Sequence, residues 1–126
     1  MNNGNFMRGI KMKNQQNETE ITKCILQYLQ YRKIFCYKNR NTGLFRQGRW
    51  TPAIQKGVPD IVGVLGGNMR GRALYIEVKA KDNKPSKEQE EFIRNAQDRG
   101  AICGVVWCIE DTTKLLANAG YDEHIS

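Results

Sequence analysis

The stretch "LYIEVKAKDNKPS", residues 74–86, decides how this chain folds. Tyr75, Ile76 and Val78 favour pleated backbone, and Asp82-Asn83 followed by Pro85 brings the pleat to an end. Successive side chains on a strand point to opposite faces. Ile76, Val78 and Ala80 therefore line one face, and Glu77 and Lys79 stand together on the other. Upstream, "VPDIVGVL" (58–65) reads as a second short strand ended by Gly66-Gly67, and "GGNMRGR" (66–72) joins the two.

In an antiparallel pair, facing residues have position numbers of constant sum. A turn centred between Asn68 and Met69 puts Asp60 opposite Glu77. Directly opposed side chains have Cβ atoms about 5 Å apart, where like charges destabilise the pair. Beneath a helix the dielectric falls and the repulsion grows. Either one acid holds a proton, or a cation sits between them. A hard divalent ion such as Mg²⁺ suits the second case, because it takes oxygen ligands from one or two carboxylates, water and phosphate. The backbone carbonyl of Val78 is a further candidate ligand. Lys79 then lies beside the ion, placed either to help deprotonate the nucleophile or to stabilise negative charge at a phosphate under attack. Each motif alone has a plainer explanation: Asp after Pro can simply mark a strand start, and E-x-K is common on a solvated face. The combination with a capped helix is more specific.

That helix is "SKEQEEFIRNAQDRG" (86–100). Ser86 is its N-cap, Gln89 completes an S-x-x-Q capping box, and Gly100 stops it after Arg99. Gln89, Phe92, Ile93 and Ala96 follow i, i+3, i+4, i+7 spacing, which also directs the Gln89 amide toward the sheet. Capping and a place in the site are expected to exclude each other. Before the hairpin, "ETEITKCILQYLQYRK" (18–33) has helical spacing of Ile21, Ile25 and Leu29, with Asn17 as its cap. "IFCYKN" (34–39) reads as a strand, and "RNTGLFRQGRWTP" (40–52) as a basic loop or loose hairpin. After the capped helix, "AICGVVWCI" (101–109) suits a strand covered on both faces. "EDTTKLLANAG" (110–120) reads as a closing helix with Leu115 and Leu116 inward. The order predicts an α/β domain over 18–120, a mixed β-sheet flanked by helices. Residues 1–17 read as a polar, weakly basic tail and 121–126 as a short C-terminal one.

The 126 residues suffice for one domain with a core. No apolar run is long enough to span a bilayer, and the N-terminus lacks the apolar segment of a signal peptide. A cytoplasmic protein without membrane contact is expected. Twenty Lys and Arg against thirteen Asp and Glu give a net charge of +7, which points to a polyanionic partner or to a basic solvated surface. Cys24, Cys36, Cys103 and Cys108 show no C-x-x-C spacing, which argues against zinc and for reduced, mostly buried thiols.

With these residues in place, the chain resembles the PD-(D/E)XK nuclease superfamily. "KGVPDIVGVLGG" (56–67) followed by "ALYIEVKAKDNKPSKEQEEF" (73–92) is similar to the VRR-NUC family of virus-type replication and repair nucleases, over roughly residues 18 to 110. The resemblance implies a restriction-endonuclease-like core and a Mg²⁺- or Mn²⁺-dependent endonuclease acting on branched DNA. It also implies a homodimer resembling Holliday junction resolvases, in a bacterial or phage-infected cell. Asp60 and Glu77 match the family's metal-binding acids and Lys79 its catalytic lysine. Glu18 best matches its helical glutamate, with Glu20 as rival; either acid would also be favoured by the helix dipole. The family's glutamine near the active centre matches Gln89.

Lys38, Arg40, Arg46, Arg49 and Lys56 occupy a segment without acids, with Phe45 and Trp50 among them. They are expected to contact DNA phosphates, continued by Lys81, Lys84 and Lys87, while Trp50 is expected in the core. No base-reading motif is visible, so recognition of DNA shape is expected. The alternatives are a DNA-binding module that keeps the fold without cutting, and a duplex or restriction-type nuclease.

Overall fold

Helix α1 (Glu18–Tyr31) begins where Asn17 accepts a hydrogen bond from the Glu20 amide at 2.8 Å and Glu20 accepts in return from the Asn17 amide. This reciprocal cap satisfies two donors that a helix start leaves open. The computed structural model describes residues 16–40, 44–51 and 56–126. After α1 come β1 (Phe35–Lys38), β2 (Leu44–Arg46), β3 (Arg49–Thr51), β4 (Ile61–Val64) and, past a short 3-10 turn, β5 (Ala73–Val78). Helix α2 (Lys87–Asp98), β6 (Ile102–Val106) and α3 (Ile109–Ala119) complete the order. Among the described residues, no helix is long and apolar enough to cross a membrane.

Four strands form one sheet in the order β1-β4-β5-β6. All neighbours are antiparallel except β5 and β6, which run parallel with α2 as their crossover. A parallel pair needs such a crossover, which explains why a helix separates these two strands. Ile61 pairs with Ile76 and Val62 with Tyr75, the register expected from a turn centred between Asn68 and Met69. β2 and β3 form a separate hairpin through Gln47-Gly48, so the hairpin reading of 40–52 holds for residues 44–51. The side chains of Phe45, Arg46 and Trp50 lie outside the described residues, and with them the expectation that Trp50 enters the core. Residues 1–15 of the N-terminal tail are also outside them.

Alternation sorts the sheet into two faces. Ile61, Leu74, Ile76, Val78, Ile102 and Val106 point toward α1 and α3, which contribute Ile21, Ile25, Leu29 and Leu116 to one closed apolar core. Gly104 lets Leu115 approach β6 closely, because an added Cβ would lie 3.0 Å from the Leu115 side chain. On the opposite face α2 covers β5 and β6, with Phe92 set edge-on to Tyr75 at 5.1 Å between ring centroids. β6 is thus covered on both faces although it is an edge strand. All four cysteines are free, with Cys36 and Cys103 buried and the other two half-buried.

The expected C-terminal tail is partly built into the domain. Tyr121 is buried, and Arg32 donates two hydrogen bonds to the Glu123 carboxylate, at 2.7 and 2.6 Å. The guanidinium lies over the rings of Tyr28 and Tyr121, 5.8 and 5.7 Å from their centroids. The Arg32 hydrogen bonds hold the Glu123 carboxyl down to about 2.

The approach of the 56–59 segment to α2 requires a glycine. Gly57 has φ +80°, and a Cβ there would run into the Glu88 carbonyl at the start of α2. Gly57→Ala is expected to lower unfolding free energy by at least roughly 1–3 kcal/mol from the strained φ alone. Exposed Lys114→Ala should stay within about 0.5 kcal/mol. Urea unfolding of both variants beside the wild type measures the difference.

Candidate active site

The β4–β5 register continues past its last ladder pair and sets Asp60 opposite Glu77 at the mouth of the hairpin. Asp60 is pinned from both sides. Its carbonyl accepts from the Asn39 amide at 2.7 Å, and its Oδ2 accepts from the Val78 amide at 2.8 Å. Asn39 Nδ2 also donates to the Pro59 carbonyl. Proline at 59 has no amide hydrogen and a fixed φ, which suits the stiff entry to Asp60.

Glu77 is the least solvated acid described, at 2% exposure. Its Oε2 accepts from Gln89 Nε2 at 2.9 Å and lies 3.4 Å from Lys79 Nζ. Its Oε1 is buried with no hydrogen-bond partner. Burial, and next the Asp60 charge, push the Glu77 carboxyl up to about 8 against the pull of Lys79. Desolvation and repulsion therefore outweigh the nearby ammonium, and the proton is favoured on Glu77 well above the ordinary carboxylate range. Cys103, on the same face of β6, is pushed up to about 12 by burial and secondarily by Glu77, which makes it an inert thiol.

Gln89 corrects one expectation. Its Oε1 accepts from the Ser86 amide at 2.7 Å, completing the capping box, while its Nε2 donates to Glu77. Capping and site contact were expected to exclude each other, but the carboxamide has an acceptor end and a donor end, and each does one task. The start of α2 and the buried carboxylate are tied through one side chain.

The two acids of α1 separate. Glu20 takes part in the Asn17 cap, whereas Glu18 accepts from Asn83 Nδ2 at 3.2 Å, in the loop that follows β5. Glu18 is thus held by that loop rather than by the carboxylate pair. Asn83 also accepts from Trp107 Nε1 through its carbonyl at 3.1 Å, linking α1, the β5–α2 loop and the end of β6. From sequence, Asn83 registered only as a strand terminator, and nothing in the local pattern marks its bridging role.

The basic residues do not form one continuous line. Lys38 is exposed on β1 but shares a shallow hollow with Thr22, Leu26 and Gln30 of α1, on the sheet face away from Glu77. Arg40, Arg49, Lys81, Lys84 and Lys87 are exposed; the side chain of Arg46 is outside those described. Lys56 lines a groove beside α2 together with Arg72 and Arg99, two cations the sequence did not single out.

Among the described residues no cluster of three or more His, Cys, Asp or Glu could hold a metal. The carboxylate pair nevertheless fits a hard divalent ion. It has two acidic oxygen donors, one with a buried oxygen lacking any donor, and the repulsion between them is what a cation relieves. Thiolate and imidazole ligands that would favour zinc are not part of this pair.

A family model, the VRR-NUC domain, matches residues 12–107. The chain belongs to the VRR-NUC family. A solved structure described as a VRR_NUC domain is 25% identical, with 82% of this chain and 97% of that one covered and a TM-score of 0.56. No curated protein sequence matches. The mixed four-stranded sheet with three flanking helices is accordingly a restriction-endonuclease-like α/β fold, and the domain is of nuclease type.

The raised Glu77 pKa has a consequence for stability. A folded-state pKa of about 8 against an ordinary 4.5 means that the folded protein holds its proton more tightly than the unfolded chain. The resulting stability is full below about pH 4.5 and is lost as pH rises toward 8. In EDTA, the urea midpoint is expected to fall between pH 5 and pH 8, and Glu77→Gln should flatten that decline. An equal decline in the variant would place its origin elsewhere.

Proposed function

We propose that the protein is a metal-dependent, structure-specific DNA endonuclease that hydrolyses phosphodiester bonds in branched DNA, in the manner of a Holliday junction resolvase. One observation carries this reading. A buried glutamate with an unpartnered oxygen faces a second pinned carboxylate and touches a lysine, in a chain of the VRR-NUC family. The resident cation in this reading is Mg²⁺ or Mn²⁺, held by Asp60 and Glu77 with the Val78 carbonyl as the third protein ligand.

The residues divide the work. Asp60, fixed by the Val78 amide, and Glu77, fixed by Gln89, present their oxygens at one point. When bound there, a divalent cation supplies positive charge to a phosphate that gains negative charge under attack. Lys79 is held at the same point by Glu77 and stabilises that charge with its ammonium, the larger part of catalysis in a preorganised site. Gln89 positions Glu77 rather than touching substrate. Glu18 is the helical acid this reading assigns to the reaction by family resemblance; its partner is Asn83 in the β5–α2 loop, while Glu20 serves the cap. Arg40, Arg46, Arg49, Lys56, Lys81 and Lys84 contact phosphates, with Lys38 reaching from the outer edge of the sheet. A homodimer and a cytoplasmic setting in a bacterial or phage-infected cell belong to the same reading. The outer face of α1 and the strand β1 are the candidate surfaces for that dimer.

Labelled four-way junctions, flaps, duplex and single strands incubated with Mg²⁺, Mn²⁺ or EDTA test the reading. Junctions are expected to be cut in Mg²⁺ or Mn²⁺ and spared in EDTA or by Asp60→Asn. Cutting that persists in EDTA would contradict the metal mechanism, and equal cutting of plain duplex would contradict structure specificity. Lys79→Ala should retain DNA binding while losing at least about a hundredfold in rate. With about five of these seven cations on phosphates at any one time, log Kd against log salt should change with a slope of magnitude near 4 to 5, measured by fluorescence anisotropy. A slope near zero would remove the electrostatic basis of the interface.

A further inference from the structure

Among the described residues, the α2 side of the sheet is only half covered. Over β5 and β6 the helix buries Cys103 and half-covers Tyr75, but among the described residues none of the helices covers the same face over β1 and β4. Its residues there are Phe35 and Tyr37 on β1, paired with Val64 and Val62 on β4. Phe35 is 73% exposed, Tyr37 56% and Val64 45%. Exposed apolar side chains grouped on one sheet face, unlike ones scattered singly, are a feature of interaction surfaces.

This open face abuts the carboxylate pair. Asn39 is the cross-strand neighbour of Asp60, as their 2.7 Å backbone hydrogen bond records, so Tyr37 is the diagonal neighbour of Asp60 on one face. Such diagonal neighbours have Cα atoms roughly 7–8 Å apart. On its other side the open face runs into the groove beside α2, whose floor includes Ala73 and Tyr75, the partners of Val64 and Val62. Lys56, Arg72 and Arg99 line that groove, with Glu88 and Glu91 as the opposing charges. No acidic residue occurs between Phe35 and Pro59.

We infer that this face binds an unpaired stretch of the DNA substrate, with bases stacked on Tyr37 and Phe35 and phosphates following the groove cations. The proposal rests on the nuclease reading and adds to it a means of choosing where a branched substrate is cut. Aromatic rings stack on any base, which suits recognition of an unpaired segment without sequence preference. A second copy of the chain is the competing occupant. It would bring another acid-free basic segment against the first, in a protein of net charge +7, so like charges oppose that arrangement and polyanion charge favours the first. Assigning β1 to DNA leaves the outer face of α1 for the dimer.

The test uses the wild-type protein in EDTA and a duplex carrying a single-stranded arm, compared with the same duplex whose arm is abasic. The two probes share their phosphates and differ only in bases. Wild type is expected to bind the base-bearing arm roughly tenfold more tightly, on the scale of one stacked base. Tyr37→Ala should erase the preference, Tyr37→Phe should keep it, and the sedimentation mass of both variants should match wild type. A preference that survives Tyr37→Ala together with Phe35→Ala overturns the inference. A change in protomer number with Tyr37→Ala overturns it in favour of a second copy on this face. Junction cutting in Mg²⁺ by wild type without any preference for the base-bearing arm overturns this proposal alone. Absence of both cutting and DNA binding overturns the nuclease reading with it.

Discussion

A carboxylate at 2% exposure, set across a hairpin from a second carboxylate, is the constraint around which this domain is organised. Leaving a buried oxygen without a partner costs about 1–3 kcal/mol, and a neighbouring like charge adds to the penalty. Glu77 has one ammonium and one amide to offset this, while burial and the Asp60 charge push its pKa up against them. In the proposed reading, a cation completes the site and removes that penalty from Glu77. Buried Leu or Ile in its place would pack without that penalty.

The surrounding elements each fix one part of the arrangement. The antiparallel register delivers Asp60 to Glu77, and the Val78 amide keeps it there. The parallel strand β6 requires a crossover, and that crossover places the start of α2 over the site, close enough for Gln89 to reach Glu77 while capping its own helix. Gly57 brings the segment before Asp60 against the same helix start. The apolar core between the sheet and α1 and α3 lies on the opposite face and is untouched by these polar demands. Core and site thus occupy different faces of one strand, Ile76 and Val78 on one and Glu77 on the other.

Much of this was legible because strand periodicity is strict. A period of two and a constant sum across the hairpin placed Glu77, Lys79 and Asp60 on one face from sequence alone, and capping residues marked both ends of α2. The two-ended role of Gln89 was missed because a motif assigns one function to a side chain, whereas an amide carries a donor and an acceptor. Asn83 was opaque for another reason: its partners Glu18 and Trp107 lie far along the chain and meet only in the folded loop. Arg32 and Glu123, 91 positions apart, are equally invisible to local pattern. The open half of the sheet could not be read either. "IFCYKN" shows a strand, but whether a helix covers Phe35 and Tyr37 depends on where α2 lands.

Diffraction from crystals soaked in Mn²⁺, recorded at a wavelength where manganese scatters anomalously, tests the central claim most directly. A single region of anomalous density between the carboxylates of Asp60 and Glu77 is expected, with Glu77 Oε1 as a ligand, and it should vanish in Glu77→Gln. Manganese bound elsewhere, with Glu77 Oε1 still unpartnered, would contradict the assignment of this pair as the cation site.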